Sequence, residues 1–196
     1  VGIVILSNEL RLGVEKTVDY LQDNGVTIKV ISGDNPKTVS YIAKQAGILN
    51  YQNILTGDDL TKISDKSWNK KIARTTIFAR VLPEQKERLV DTFKNLGHFT
   101  GMVGDGVNDA LALKKSDLGV AMYAGAAATR RVADIVLLNN SFNSLPLGMK
   151  LGNKIMQAIE IIAALFFHNI IYGVVLLMPT IAIGMVYPFA PRHITF

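Results

Sequence analysis

The segment Gly104–Asp109 combines residue types that suit a divalent metal ion. Asp105 stands between two glycines, and Asp109 follows four residues later. Glycine lets the backbone approach a ligand closely, and Mg²⁺ needs only one or two carboxylates when it also keeps waters and a phosphate oxygen. Taken alone, the tripeptide Gly104-Asp105-Gly106 favours a plain turn with a capping aspartate. The apolar run before it and the helical pattern after it shift the prediction to a metal site formed by Asp105 and Asp109.

Two other segments suit a phosphate group. Ser32–Asp34 offers a hydroxyl, a flexible amide and the start of a helix at Pro36, a combination that binds phosphate. Lys86 falls in the first turn of a second predicted helix, where its ammonium group can meet a phosphoryl group as a point charge. Arg80 precedes that helix and could reach a nucleotide phosphate. Taken singly, each pattern is more often a turn, a surface lysine or a surface ion pair.

Alternating strands and helices position these segments. Apolar runs predict strands at residues 1–6, 26–31, 75–79, 98–103, 118–122 and 135–138, and helical spacing predicts helices at 14–24, 36–45, 83–96 and 108–115. Such alternation predicts an α/β fold with a parallel sheet. Ligands of these sheets bind beyond the carboxyl ends of the strands. The three polar segments follow the second, third and fourth strands, so we expect them to converge at one edge.

The composition narrows the function classes. The 196 residues contain no cysteine, which excludes disulfide scaffolds, thiolate metal sites and a cysteine nucleophile. The net charge is +5, but no basic cluster with interleaved aromatic residues is present, so nucleic-acid binding is not expected. Together, the Ser32 hydroxyl, Lys86 and Asp105 are the parts of a phosphoryl-transfer site. The three histidines lie away from these segments, so the predicted site has no nucleophile of its own.

The C-terminal part differs from the rest. Residues 161–191 contain no charged residue. This stretch is longer than the roughly 20 residues of one membrane span but shorter than two spans. We therefore predict a soluble domain at 1–147 and a transmembrane segment at 148–196, with one span and the start of the next. Lys150 and Lys154 flank the start of the span and predict that this end is cytoplasmic.

Polar residues within the predicted span are candidates for a transported-ion site. Asn169 lies inside the apolar stretch, where its carbonyl oxygen could bind a cation or make an interhelical hydrogen bond. Glu160 lies near the cytoplasmic end and could be an ion-entry carboxylate or an interfacial acid.

The polar segments, in their order, resemble a known family. Ser32–Asn35, then Phe78–Lys86 and Met102–Ala110, are similar to the phosphorylation domain of P-type ATPases, which belong to the haloacid-dehalogenase superfamily. Residues 117–122 and 133–138 resemble the segments that follow in that family. The resemblance implies a Rossmann-like parallel sheet followed by a transmembrane helix.

The resemblance also implies roles for individual residues. Asp105 would bind the catalytic Mg²⁺, and Lys86 would contact the phosphoryl group of an aspartyl phosphate. Asp109 and Asn108 would organise the metal loop. The remaining assignments are to ATP: Ser32, Gly33 and Asp34 would line the approach of phosphate and nucleotide, and Arg80 would help to hold the nucleotide.

One family motif is absent. The Asp-Lys-Thr-Gly-Thr segment that supplies the phosphorylated aspartate does not occur in the 196 residues, so the chain is expected to be a C-terminal piece of a pump that is inactive alone. Its partners would be the pump's other domains, membrane lipid and a transported cation. Residues 188–195 read Pro-Phe-Ala-Pro-Arg-His-Ile-Thr and resemble bacterial E-type cation ATPases, some of which are linked to calcium.

Two alternatives remain open at this stage. One is a membrane-tethered phosphatase of the same superfamily, which would need an Asp-x-Asp nucleophile segment. The other is a non-catalytic membrane-anchored module that keeps the fold. The leading hypothesis places the chain in the cell membrane as part of a multi-pass protein, with its α/β domain in the cytoplasm.

Overall fold

A computed structural model describes residues 10–166 and 192–195, with side chains as far as residue 159. The helices are α1 (Val14–Asp23), α2 (Pro36–Gln45), α3 (Gly57–Thr61), α4 (Asp65–Arg74), α5 (Pro83–Asn95), α6 (Ala110–Lys115), α7 (Ala127–Val132) and α8 (Ser144–Phe166). The strands are β1 (Val26–Ile31), β2 (Ile54–Thr56), β3 (Ile77–Ala79), β4 (Thr100–Gly104), β5 (Leu118–Met122), β6 (Ile135–Leu137) and β7 (Arg192–Thr195).

The described strands form one parallel sheet in the order β2-β3-β1-β7-β4-β5-β6. Helices pack on both of its faces, which confirms the predicted Rossmann-like α/β fold. The five strands predicted within residues 26–138 are all present. The strand predicted for residues 1–6 lies outside the described residues.

Local signals in the sequence explain where the helices next to the site begin. The side-chain oxygen of Asn35 accepts a hydrogen bond from the backbone N–H of Lys37 at 2.9 Å, and Pro36 occupies the first turn of α2. Proline suits that position because the first N–H groups of a helix have no partner within the helix. Pro83 begins α5 in the same way.

The apolar core has one layer on each face of the sheet. On one face, β1 and β3 pack against α1 and α2 through residues such as Leu21, Ile28 and Ala43. On the other face, Trp68 and Ile72 of α4 meet the far side of the sheet, together with these buried residues of β1, β3 and α5: Ile31, Phe78, Leu89 and Phe93.

Lys29 is a charged residue within this second layer. It is only 3% exposed, and its ammonium group donates to the backbone oxygens of Ala73 at 2.9 Å and Thr75 at 2.5 Å. These carbonyls belong to the end of α4, where a positive charge is favourable. Burial nevertheless lowers the pKa of Lys29 from 10.5 to about 8.

Several elements differ from the sequence prediction. Residues 53–71, for which the sequence indicated no clear structure, contain β2, α3 and most of α4. Thr56 and Asp59 form a capping box at the start of α3, and these bonds to Thr56 hold the pKa of Asp59 below its usual value. The short helix α7 and the strand β7 are also absent from the prediction.

The C-terminal elements bear on the predicted membrane segment. The boundary between 147 and 148 falls inside α8. Within the described residues, no helix combines the length and the apolar character needed to cross a bilayer. Strand β7 lies between β1 and β4 at the centre of the sheet, whereas the sequence prediction includes residues 192–195 in the transmembrane segment.

Candidate active site

A cavity of about 600 Å³ opens at the carboxyl ends of β1 and β4. The structure brings the three predicted polar segments to it. Its polar lining includes Ser32, Gly33, Asp34, Lys86, Asp105 and Asp109, and its apolar lining includes Val30, Ile31, Met102 and Val103. The predicted convergence of these segments at one cavity therefore occurs in the fold.

Lys86 and Asp109 form a nearly buried ion pair at the cavity wall. The Lys86 Nζ atom donates to Asp109 Oδ1 at 2.7 Å, and the two side chains are 12% and 11% exposed. The other carboxylate oxygen of Asp109 accepts from the backbone N–H of Gly106 at 3.0 Å. Because the two residues come from α5 and from the turn after β4, this pair joins two of the three polar segments.

Gly104 is required for the close approach of Asp109. A Cβ atom at position 104 would lie 2.6 Å from the Cβ of Asp109, a distance that real side chains do not adopt. The sequence therefore needs glycine at this point for Asp109 to turn back over the end of β4 and meet Lys86.

Asp105 is held through its backbone, whereas its carboxylate is open. Its carbonyl oxygen accepts from the N–H of Ala126 at 2.6 Å. A Cβ at Gly125 would lie 2.6 Å from that same oxygen. Within the described part of the chain, the Asp105 carboxylate has no hydrogen-bond or ion-pair partner, and the residue is exposed at the cavity.

The segment after β1 is organised by backbone hydrogen bonds. Ser32 bonds to β3 through its N–H, which donates to Phe78 O at 2.9 Å, and its carbonyl oxygen accepts from Val81 N at 3.1 Å. The Ser32 hydroxyl accepts from the N–H of Asp34 at 3.1 Å. The Asp34 side chain is exposed. This loop has a defined backbone and leaves its polar side chains facing solvent and cavity.

The donor set fits a hard divalent cation with few protein ligands. Asp105 supplies a carboxylate without a competing partner, while both oxygens of Asp109 are engaged by Lys86 and Gly106. Across the side chains of residues 10–159, no group of three metal-ligating residues comes together. Mg²⁺ needs only one or two carboxylates, so Asp105 is the better candidate and Asp109 supports Lys86 from within the wall.

Two predicted nucleotide-binding residues do not line the cavity. Arg80 has a positive φ of 51° and is exposed, and its contact with the segment after β1 is through its backbone N–H, which donates to Asp34 O at 3.2 Å. Asn108 is also exposed and lies outside the lining. The side chains of Asn169 and Glu160, the predicted ion-site residues, lie outside those that the structure describes.

Sequence reasoning missed the loop Tyr123–Ala126, which contacts Asp105 from behind. The available signal was Gly125, an isolated glycine shortly after the apolar run of β5. Such a glycine can mark a close backbone approach, but the sequence does not show which segment approaches it.

Comparisons with known proteins decide the family. A family model described as haloacid dehalogenase-like hydrolase matches residues 1–117. The chain belongs to this hydrolase family. This confirms the resemblance to the haloacid-dehalogenase superfamily that its motifs carry.

Relatives of this hydrolase chain are named as cation-transporting ATPases. It is 39% identical to the probable cation-transporting ATPase exp7 of Streptococcus pneumoniae, over 99% of this chain and 26% of that protein. It is 37% identical to the calcium-transporting ATPase CtpE of Mycobacterium bovis, over 100% of this chain and 25% of that protein. The chain thus spans about a quarter of the length of these relatives.

A solved structure of an ATPase domain is also similar to this chain. The catalytic domain of the CPx-ATPase CopB-B, described in a study of its changes on nucleotide binding, is 28% identical to this chain. The TM-score is 0.53, and the match covers 69% of this chain and 44% of that domain.

Proposed function

We propose that the chain is part of an ATP-driven P-type cation pump, in which its α/β domain holds Mg²⁺ and the phosphoryl group of an aspartyl phosphate. The observation that carries the proposal is the shared cavity of Ser32, Lys86 and Asp105, whose segments follow three different strands. The family and the names of the relatives support it. In phosphoryl transfer, positioning and charge neutralisation supply most of the catalysis.

Five polar side chains of the cavity have a role in this proposal. Asp105 binds Mg²⁺, which would neutralise charge on the phosphoryl oxygens. Lys86 presents its ammonium group to the same oxygens, and Asp109 holds that ammonium group in place. Ser32 and Asp34 orient the phosphate and its approach from the open side of the cavity.

The nucleotide contacts are the outermost part of the proposal. Gly33 has no side chain to cover the backbone beside the cavity, and a Cβ there would meet no atom within 4 Å. Arg80 and Asn108 would act on ATP from the rim, because neither lines the cavity in the structure.

The phosphorylated aspartate belongs, in this proposal, to a segment outside the 196 residues. The Asp-Lys-Thr-Gly-Thr sequence does not occur in them. We expect no acid-stable label when the chain alone is incubated with Mg²⁺ and γ-labelled ATP. Labelling of the chain would contradict this expectation. Hydrolysis of a phosphate monoester by the chain alone would instead favour the membrane-tethered phosphatase.

The membrane part of the proposal concerns residues 148–196 and a cation. Calcium is the first candidate, because it appears in the name of the mycobacterial relative. Asn169 and Glu160 are the proposed contacts of the transported ion. The test is Asn169→Ala in the complete pump: altered cation dependence of ATP hydrolysis supports the assignment, and unchanged dependence removes Asn169 from it.

Metal binding by the α/β domain can be tested on the chain itself. Mn²⁺ replaces Mg²⁺ and broadens the nuclear magnetic resonance signals of nearby amides, so the signals of Gly104–Asp109 should broaden first. Asp105→Asn should abolish this selectivity. The matched control is Asp23→Asn, because Asp23 is exposed at the end of α1. Equal broadening in wild type and Asp105→Asn would refute the metal site.

A further inference from the structure

The position of Asp105 depends on a loop that lies behind it. This loop, Tyr123–Ala126, joins β5 to α7 and is called the support loop below. Ala126 donates its N–H to Asp105 O at 2.6 Å. Gly125 has no side chain, and a Cβ there would lie 2.6 Å from the same oxygen and 2.8 Å from the Asp105 Cα. Backbone thus packs on backbone, and any shift of the support loop moves Asp105.

The support loop is anchored on its outer side by the neighbouring strand and turn. The N–H of Tyr123 donates to Leu137 O at 3.2 Å, and the N–H of Ala124 donates to Asn140 Oδ1 at 2.7 Å. These bonds use the amide groups of the loop. The Ala126 carbonyl accepts from the Thr129 hydroxyl at 2.6 Å, whereas the Tyr123 and Gly125 carbonyls need donors from another direction.

Arg130 supplies those donors. From α7, its Nη1 atom donates to Tyr123 O at 2.7 Å and to Gly125 O at 2.5 Å. The guanidinium carbon also lies 5.6 Å from the centre of the Tyr123 ring, within the range of a cation–π interaction. A single side chain therefore joins the first and third residues of the loop.

We propose that Arg130 is a positioning residue for Asp105: it fixes the support loop, and the support loop fixes the backbone that carries the open carboxylate. The inference rests on the proposed role of Asp105 as a metal ligand. Outer groups that orient a ligand commonly change metal affinity about 10- to 100-fold when removed. Arg130 itself does not line the cavity, so it acts through the backbone and not on the phosphoryl group.

The first test measures the contact without any metal. Hydrogen exchange of the Ala126 amide reports the bond to Asp105 O, since an amide exchanges when its local structure opens. We expect Arg130→Met to speed this exchange about tenfold or more. Arg131→Met is the matched control, because Arg131 is the next residue of the same helix and is exposed. It should leave the Ala126 exchange unchanged.

The second test measures metal binding on the same variants. Arg130→Met should raise the Mn²⁺ concentration that broadens the Gly104–Asp109 amide signals about tenfold. Arg130→Lys should restore part of the Mn²⁺ affinity. Gly125→Ala should have the same consequence through its clash with Asp105. Gly152→Ala is its control, because a Cβ at position 152 meets no atom within 4 Å.

The outcomes separate this inference from the proposed function. If Asp105→Asn keeps the selective broadening, the metal site fails, and the Ala126 exchange still tests whether Arg130 fixes the loop. If Asp105→Asn loses the broadening but Arg130→Met behaves like Arg131→Met in both experiments, Arg130 has no positioning role. A lowered melting temperature in Arg130→Met, with wild-type Ala126 exchange and Mn²⁺ affinity at 25 °C, would likewise overturn it.

Discussion

Two lysines with little exposure lie in regions that treat a positive charge differently. Lys29 belongs to β1, and its side chain lies in the core on one face of the sheet. There its ammonium group bonds to two backbone oxygens and, among the described residues, has no carboxylate partner. Lys86 is at the carboxyl edge, where Asp109 pairs with it and a cavity lies beside it. Burial lowers the pKa of Lys29, whereas the carboxylate of Asp109 compensates the charge of Lys86.

The largest expected effect follows from breaking the pair at the edge. Lys86→Met leaves the Asp109 carboxylate nearly buried without its cation, which should lower the free energy of unfolding by about 3 kcal/mol, the lower end for a broken buried pair. Urea unfolding of the chain measures it. The double variant Lys86→Met/Asp109→Leu should recover much of the loss, because it removes both charges.

The control for this experiment is a surface lysine. Lys115→Met removes two solvent-accessible ion pairs, with Glu87 and Asp91, and it should leave the urea midpoint nearly unchanged because solvent screens such pairs. A midpoint for Lys86→Met equal to that of Lys115→Met would show that the edge and the surface do not differ.

The second effect comes from Lys29 and depends on pH. The folded chain holds this proton less tightly than the unfolded chain, with a pKa of about 8 against 10.5. Unfolding therefore takes up a proton between these values, and stability should rise with pH across that window, by about 3 kcal/mol at most. Below pH 8 the full penalty of burying the charge applies.

The measurement is the difference between wild type and Lys29→Met, because other lysines and tyrosines titrate in the same range. Lys29→Met should lose this rise between pH 8 and 10.5. Lys70→Met should keep it, because Lys70 is an exposed residue of α4, the helix whose end Lys29 contacts. An identical slope for wild type and Lys29→Met would mean that the Lys29 charge is not penalised.

The smallest effect concerns the open side of the cavity. Ser32→Ala removes the hydroxyl that accepts the Asp34 N–H and should cost about 1 kcal/mol in unfolding free energy, the usual size of one hydrogen bond. A loss as large as that of Lys86→Met would show that both sides of the cavity are equally built into the fold.

The sequence predicted the elements that carry strong local signals. Pro36 and Gly47 bracket α2, and the apolar runs of β1 and β5 give those strands with the bounds that were expected. Helix α4 buries only Trp68 and Ile72, and two apolar residues in a polar stretch do not define a period. Helix α7 has six residues, of which only Thr129 is buried, so no apolar period emerges.

The candidate site shows the same division. Strand order and chain direction predict that the three segments meet, because the carboxyl ends of parallel strands share one edge. They do not predict which side chains pair across it. The bond between Lys86 and Asp109 joins positions 23 apart and depends on a glycine at 104. The positive φ of Arg80 likewise depends on its tertiary neighbours.

The central strand β7 sets the width of the cavity. It pairs with β1 as far as Lys29 and with β4 as far as Met102, so the last residues of both neighbours extend beyond it. Two strand spacings put β1 and β4 about 10 Å apart. Without a strand between them, β1 and β4 would either separate or pair directly at about half that distance. The cavity therefore exists because a strand separates β1 from β4. Whichever segment occupies that position determines the distance between Ser32 and Asp105.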